Sequence, residues 1–148
     1  MTIYSSILLA VDLHADSIGI ARRARDLAAL MGAEFTVLHV VEYMPVEPVG
    51  ETMMPPMHLL DELASSARER LRALCADIGV DAEHQRVEIG IVKTEIVRVA
   101  RALHSDLIVL GARERHGLSI LVNFTEDTVL HGAPCDVLAV RVGSDQVV

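Results

Sequence analysis

The chain has 148 residues, a length for one domain (1–148) with a full hydrophobic core. Its 13 Lys plus Arg against 21 Asp plus Glu give a net charge of −8, which argues against nucleic acid or an anionic membrane as a partner. Half the residues are apolar, yet no run approaches the ~20 that cross a bilayer, and MTIYSSILLAVD lacks the basic start of a signal peptide.

Ile3–Asp12 (IYSSILLAVD) ends in an almost continuous apolar run, the pattern of a strand covered on both faces. Ser17–Met31 follows with Ile20, Ala24, Leu27, Ala28 and Met31 at helical spacing, and Gly32 stands where a helix stops. Glu34–Val41 (EFTVLHVV) is β-branched and apolar, a second strand. Tyr43–Pro56 carries four prolines and a glycine, which forbids regular structure over most of it. Met57–Ile78 is a long amphipathic helix with Leu60, Leu63, Ala64, Ala67, Leu71, Leu74 and Ile78 on one face. Gln85–Ile89 is a short strand, and Thr94–Leu103 a helix with Thr94 as its cap. Asp106–Leu110 and Asp136–Val142 (DVLAVRV) are the fourth and fifth strands.

Strands alternating with helices imply parallel pairing through right-handed crossovers, an α/β doubly wound sheet with helices on both faces. Ligands of such sheets bind beyond the carboxyl ends of the strands, near the point where strand order reverses. That rule selects Asp12 after the first strand, Val41 after the second, and Gly111 onward after the fourth.

The segments ILLAVDL, FTVLHVVE, DLIVLGAR with RHGL, and VLHGAPCDVLAVRV resemble the universal stress protein family across essentially the whole chain. The resemblance implies a five-stranded parallel sheet of order 3-2-1-4-5 that dimerises through its last strand. Many members bind ATP or a related nucleotide; others serve as regulatory or partner-binding proteins. In nucleotide-binding members an aspartate matching Asp12 and the backbone near Val41 hold adenine and ribose. The phosphates lie on a loop G-x-x-G, eight or nine residues, then G-S or G-T.

Gly111 matches the first glycine of that loop. Glu114 stands at the second, and Asn123 and Phe124 replace the final glycine and hydroxyl residue, with Thr125 one place late and Gly117 between. Phosphate sites at helix starts rely on free backbone N–H groups that glycines let an anion approach. Asn123 with Glu126 has the form of a capping box, which uses those donors internally. Glu114, Glu126 and Asp127 add negative charge. One such contact at ~4 Å costs on the order of 4 kcal/mol at an effective dielectric near 20. Arg113, Arg115 and His116 act in the opposite sense. The reading is a phosphate loop that has lost its phosphate.

Two binding readings therefore stand, and a third, a slow nucleotide hydrolase, depends on the second and needs a water-activating group that the sequence does not name. In the first, the protein is a cytoplasmic, non-catalytic regulatory homodimer with weak or absent ATP binding that recognises a partner protein or a smaller ligand. In the second, Asp12, Val41, Gly111, Arg113, Gly117 and Thr125 still hold ATP or AMP as a switch. Asp12 is either a ribose ligand or a turn-capping aspartate; Arg113 and Arg115 either grip a small anion or form a solvated surface. The seven histidines show no metal-binding spacing, His39 reads as a hydrogen-bonded strand residue, and Met53–His58 as a pliable apolar cover. Ser119 lacks a nucleophile elbow. Cys135 reads as a small buried hydrophobe, and with Cys75 as a reduced thiol rather than a disulfide partner. The last strand, 136–142, is a flat apolar edge that pairing with its own copy would cover.

Overall fold

A computed structural model describes residues 2–43, 57–113, 129 and 131–142. The elements run β1 (Ser6–Ala10), α1 (Ser17–Met31), β2 (Glu34–Glu42), α2 (Met57–Ile78), a 3-10 turn (Ala82–His84), β3 (Gln85–Gly90), α3 (Val92–Ala102), β4 (Leu107–Arg113) and β5 (Asp136–Val142). The strands form one sheet of order β3-β2-β1-β4-β5, and every adjacent pair is parallel. The order expected from the sequence is the order found.

Side-chain alternation along β1 explains why its sequence is apolar throughout. Ile7, Leu9 and Val11 enter one cluster with Ile20, Ala24 and Ala28 of α1 and Ala67, Leu71 and Cys75 of α2. Leu8 enters a second cluster, with Ile96, Val99 and Ala100 of α3 and with Val129. Successive residues of a strand point to opposite faces, so two covered faces leave no polar position. The topology sorts the helices in the same way. The crossovers through α1 and α2 step from β1 toward β3, and the later ones step from β3 back toward β5, so right-handed connections place them on opposite faces.

Most strand ends and both ends of the third helix differ by one to three residues from the sequence reading, and three of these boundaries have a clear cause. β1 begins at Ser6 rather than Ile3, since its pairing starts at Ser6 with Glu34 and Ile3 is exposed. The third helix begins at Val92 rather than Thr94, with Ile91 at the cap position. Val92 packs against the second cluster, and that burial draws the first turn forward. β4 runs on past Leu110 to Arg113 because β5 keeps pairing with it, Gly111 with Val140, Ala112 with Arg141 and Arg113 with Val142. Gly111 is therefore a strand residue and not the first residue of a loop. α1 ends as read: Gly32 takes the left-handed conformation (φ 64°), and Ala33 N–H bonds Ala28 O at 2.9 Å.

At the amino edge the Asp106 carboxylate accepts from Ser5 N–H (2.8 Å), Ser5 Oγ (2.8 Å) and Ser6 N–H (3.0 Å). Tyr4 Oη donates to Asp136 at 3.0 Å. These bonds fix the starts of β1, β4 and β5 together, so unequal strand lengths appear at the opposite edge. There β1 stops at Ala10 while β2 continues to Glu42 and β4 to Arg113. A notch is left over the end of β1, where the strand order reverses.

Candidate functional site

The notch opens into a cavity of about 630 Å³, within the roughly 300–1,000 Å³ usual for small-molecule sites. Asp12, Val41 and Gly111 all line it, and so do Ser17 of α1, Arg70 of α2 and Ile96 of α3. Three strand ends and three helices thus converge on one space.

Asp12 lies two residues past the end of β1 and turns back to organise α1. Its Oδ1 accepts from Ser17 Oγ at 2.8 Å and from His14 N–H at 3.1 Å. Asp16, at the cap position of α1, makes no side-chain cap bond, so the Asp12–Ser17 bond ties down the helix start instead. The carboxylate stays half-exposed, and His14 Nε2 is 4.0 Å from Oδ2. The turn between them is strained: Leu13 has φ 60°, which costs a side-chain-bearing residue about 1–2 kcal/mol. Burial of the Leu13 side chain offsets this, and its carbonyl accepts a hydrogen bond from the Arg70 guanidinium.

His39 lies on β2 with Nδ1 2.8 Å from Val11 O. A carbonyl only accepts, so Nδ1 carries the proton and Nε2 of the neutral ring is an acceptor. Burial lowers the His39 pKa, which keeps the ring neutral at physiological pH. The same geometry decides which backbone groups of β2 face the cavity. Leu38 O accepts from Val11 N–H, so even-numbered residues of this stretch bond toward β1; Tyr43 N–H bonds Gly90 O, so odd-numbered ones bond toward β3. Beyond the end of β1 the N–H and C=O of Val40 point to the cavity side, while those of Val41 belong to the β3 ladder.

Arg113 ends β4. Gly117 and Thr125, and the motif departures Glu114, Asn123 and Phe124, lie outside the described residues. The sequence reading did not single out His14, Ser17 or Arg70 for the site, and it gave His39 only a structural part. Arg70 lies on the polar side of an amphipathic helix, where periodicity carries no information. The proximity of Ser17 to Asp12 follows from a tight β1–α1 turn that spacing alone could have suggested.

Burial pushes the Cys75 thiol up to about 11 and also raises that of Cys135, so neither is poised as a thiolate. Among the described residues no three His, Cys, Asp or Glu side chains gather as a metal site. Nor is any helix of those residues long and apolar enough to cross a membrane.

The model of the universal stress protein family matches residues 3–141. Universal stress protein A homolog 1 of Coxiella burnetii is 39% identical, over 93% of this chain and 96% of its own. Among solved structures, universal stress protein UspA from Lactobacillus plantarum is 28% identical with a TM-score of 0.70, covering 93% of this chain and 98% of that one. A universal stress protein solved in complex with cAMP shares the fold at TM-score 0.63 and 19% identity, over 95% of this chain and 98% of that one. With the family match spanning nearly all the strands and helices described above, the chain belongs to the universal stress protein family.

Proposed function

We propose that this protein is a non-catalytic, cytoplasmic regulator of stress response that acts as a homodimer and takes a nucleoside-type ligand with fewer phosphates than ATP. The observation that carries the ligand is the cavity at the switch point, where Asp12, the Val40 backbone and Gly111 meet. It supplies a carboxylate, a backbone donor and acceptor, and a glycine without a Cβ, which is what a base and a sugar need. What the chain lacks is the glycine pair of the phosphate loop, replaced by Glu114 and Asn123. A solved member of the family holds cAMP, a nucleotide with one phosphate. Two free thiols fit a reducing compartment.

The dimer is supported by the contrast between the two sheet edges. β3 carries Arg86 and Glu88, 2.9 Å apart, and Arg98 of α3 reaches Glu88 at 3.1 Å and Glu95 at 2.6 Å. Charges on an edge oppose strand addition. β3 also exposes Ile89, and β5 carries Asp136 and Arg141 toward its ends, but the middle of β5 exposes Leu138, which self-pairing across a two-fold axis would cover.

A second reading, an ATP- or AMP-dependent switch, is favoured by the retention of Asp12 and Gly111 at the cavity. Calorimetric titration of nucleotide-free protein with adenosine, AMP and MgATP separates the two. The first reading expects adenosine or AMP to bind at least tenfold more tightly than ATP. It also expects the triple substitution Glu114→Gly, Asn123→Gly, Phe124→Ser to gain ATP affinity. ATP binding as tight as that of AMP in the unaltered chain would sink it.

A further inference from the structure

We propose that Arg70 is the anion-recognising residue of this cavity, binding the single phosphate of a nucleoside monophosphate from the α2 side. This rests on the nucleoside reading above and adds the group that sets which nucleoside derivative is preferred.

Arg70 of α2 lines the cavity. Its guanidinium donates to the Leu13 carbonyl, and among the described residues no carboxylate lies in ion-pair reach of it. A guanidinium has five N–H donors in a planar fork, so one bond to a carbonyl leaves donors for an incoming oxyanion. The bond to Leu13 also fixes the side chain in the cavity wall, so much of the ordering cost of a long flexible arginine is met before a ligand arrives. Two acids line the same cavity. Asp12 Oδ1 is engaged by Ser17 and His14, and Glu42 is exposed at the end of β2. These charges, with the net −8 of the chain, disfavour a polyphosphate while one bidentate arginine suits a single phosphate.

α2, which carries Arg70, packs with α1 on one face of the sheet, opposite α3. A phosphate held by Arg70 therefore leaves the nucleoside toward the α1–α2 face. The acceptor Nε2 of His39, fixed by the Val11 bond, stands on the same strand end to take a ligand hydroxyl or amino proton.

The test compares adenosine with AMP, which differ in the phosphate alone, by calorimetry on the full chain and on Arg70→Gln and Arg70→Lys. AMP is expected to bind the unaltered protein about ten- to a hundredfold more tightly than adenosine. Arg70→Gln should bring the two ligands to within about twofold, with adenosine affinity retained as evidence that the cavity is intact. Arg70→Lys should keep part of the difference, and that part should shrink as salt rises from ~50 to 500 mM. Equal binding of adenosine and AMP by the unaltered chain, or a preference that survives Arg70→Gln, overturns the Arg70 assignment alone. If adenosine and AMP both fail to bind at millimolar concentration, the nucleoside reading falls and this assignment with it.

Discussion

Asp12 and Asp106 stand at opposite edges of the sheet, and their surroundings give the two carboxylates different roles. Asp106 accepts three bonds from Ser5 and Ser6. Burial pushes its pKa up, but the bonds from those N–H and hydroxyl groups outweigh it, and the folded-state value is lowered. A carboxyl with a folded pKa below its unfolded one adds stability that is complete above the ordinary value of ~4 and fades as pH falls through the lowered one. Asp106→Asn should thus lose about 1 kcal/mol at pH 7, the low side for a bond to a charged group because Ser5 is exposed. The gap to the unaltered chain should narrow as pH falls below the ordinary carboxylate value of ~4; thermal melts at pH 7, 5 and 3 measure it, and a constant gap would assign the loss to packing. At this scale Asp12 and Gly111 were legible as cavity-lining positions because they lie near the carboxyl ends of β1 and β4, where topology alone selects positions. Arg70 was not, since whether a helix-surface arginine meets a cavity depends on helix rotation and on a carbonyl 57 residues away.

The elements divide in the same way. α1 and α2 were read to the residue, because a helix is bounded by local chemistry: Gly32 at one end, and the proline-rich stretch before Met57 at another. β4 was read three residues short, since a strand continues for as long as a partner accompanies it, and the partner β5 lies over 20 residues further on. The edge argument yields a prediction of its own. Leu138→Asp on β5 places like charges near a two-fold axis and should weaken self-association at least tenfold, with helix content by circular dichroism unchanged. A control at the other edge, Glu88→Ala, should leave association as it was. Sedimentation velocity over a concentration series checks both, and a Leu138→Asp chain that stays dimeric at the concentrations of the unaltered one would exclude the β5 edge.

For the whole molecule, the alternation along β1 joins two cores through one sheet. Leu8 and Leu9 are adjacent and each fully buried, yet they belong to opposite clusters. Truncating either to alanine should cost about 2–5 kcal/mol. In both variants the chain should still unfold in one step, because the strands that one cluster loses are those that the other needs. Urea titrations followed by far-ultraviolet circular dichroism and by tyrosine fluorescence would show this as coincident midpoints with an unchanged slope. Separate midpoints for the two probes would show that the faces melt independently. The fold class was readable at this scale because alternating strand and helix patterns admit few topologies, whereas the cavity exists only through the difference in length between β1 and its two neighbours.

The overhang of β4 has a further consequence. Gly111 lines the cavity and is also paired with Val140 of β5. Neighbouring strands lie ~5 Å apart, so one ladder of hydrogen bonds separates the wall that a ligand touches from the rim where a second copy would attach. A ligand inside and a second copy outside would draw on the same short stretch of backbone, and a shift of β4 by a fraction of an ångström would reach both without passing through either hydrophobic cluster.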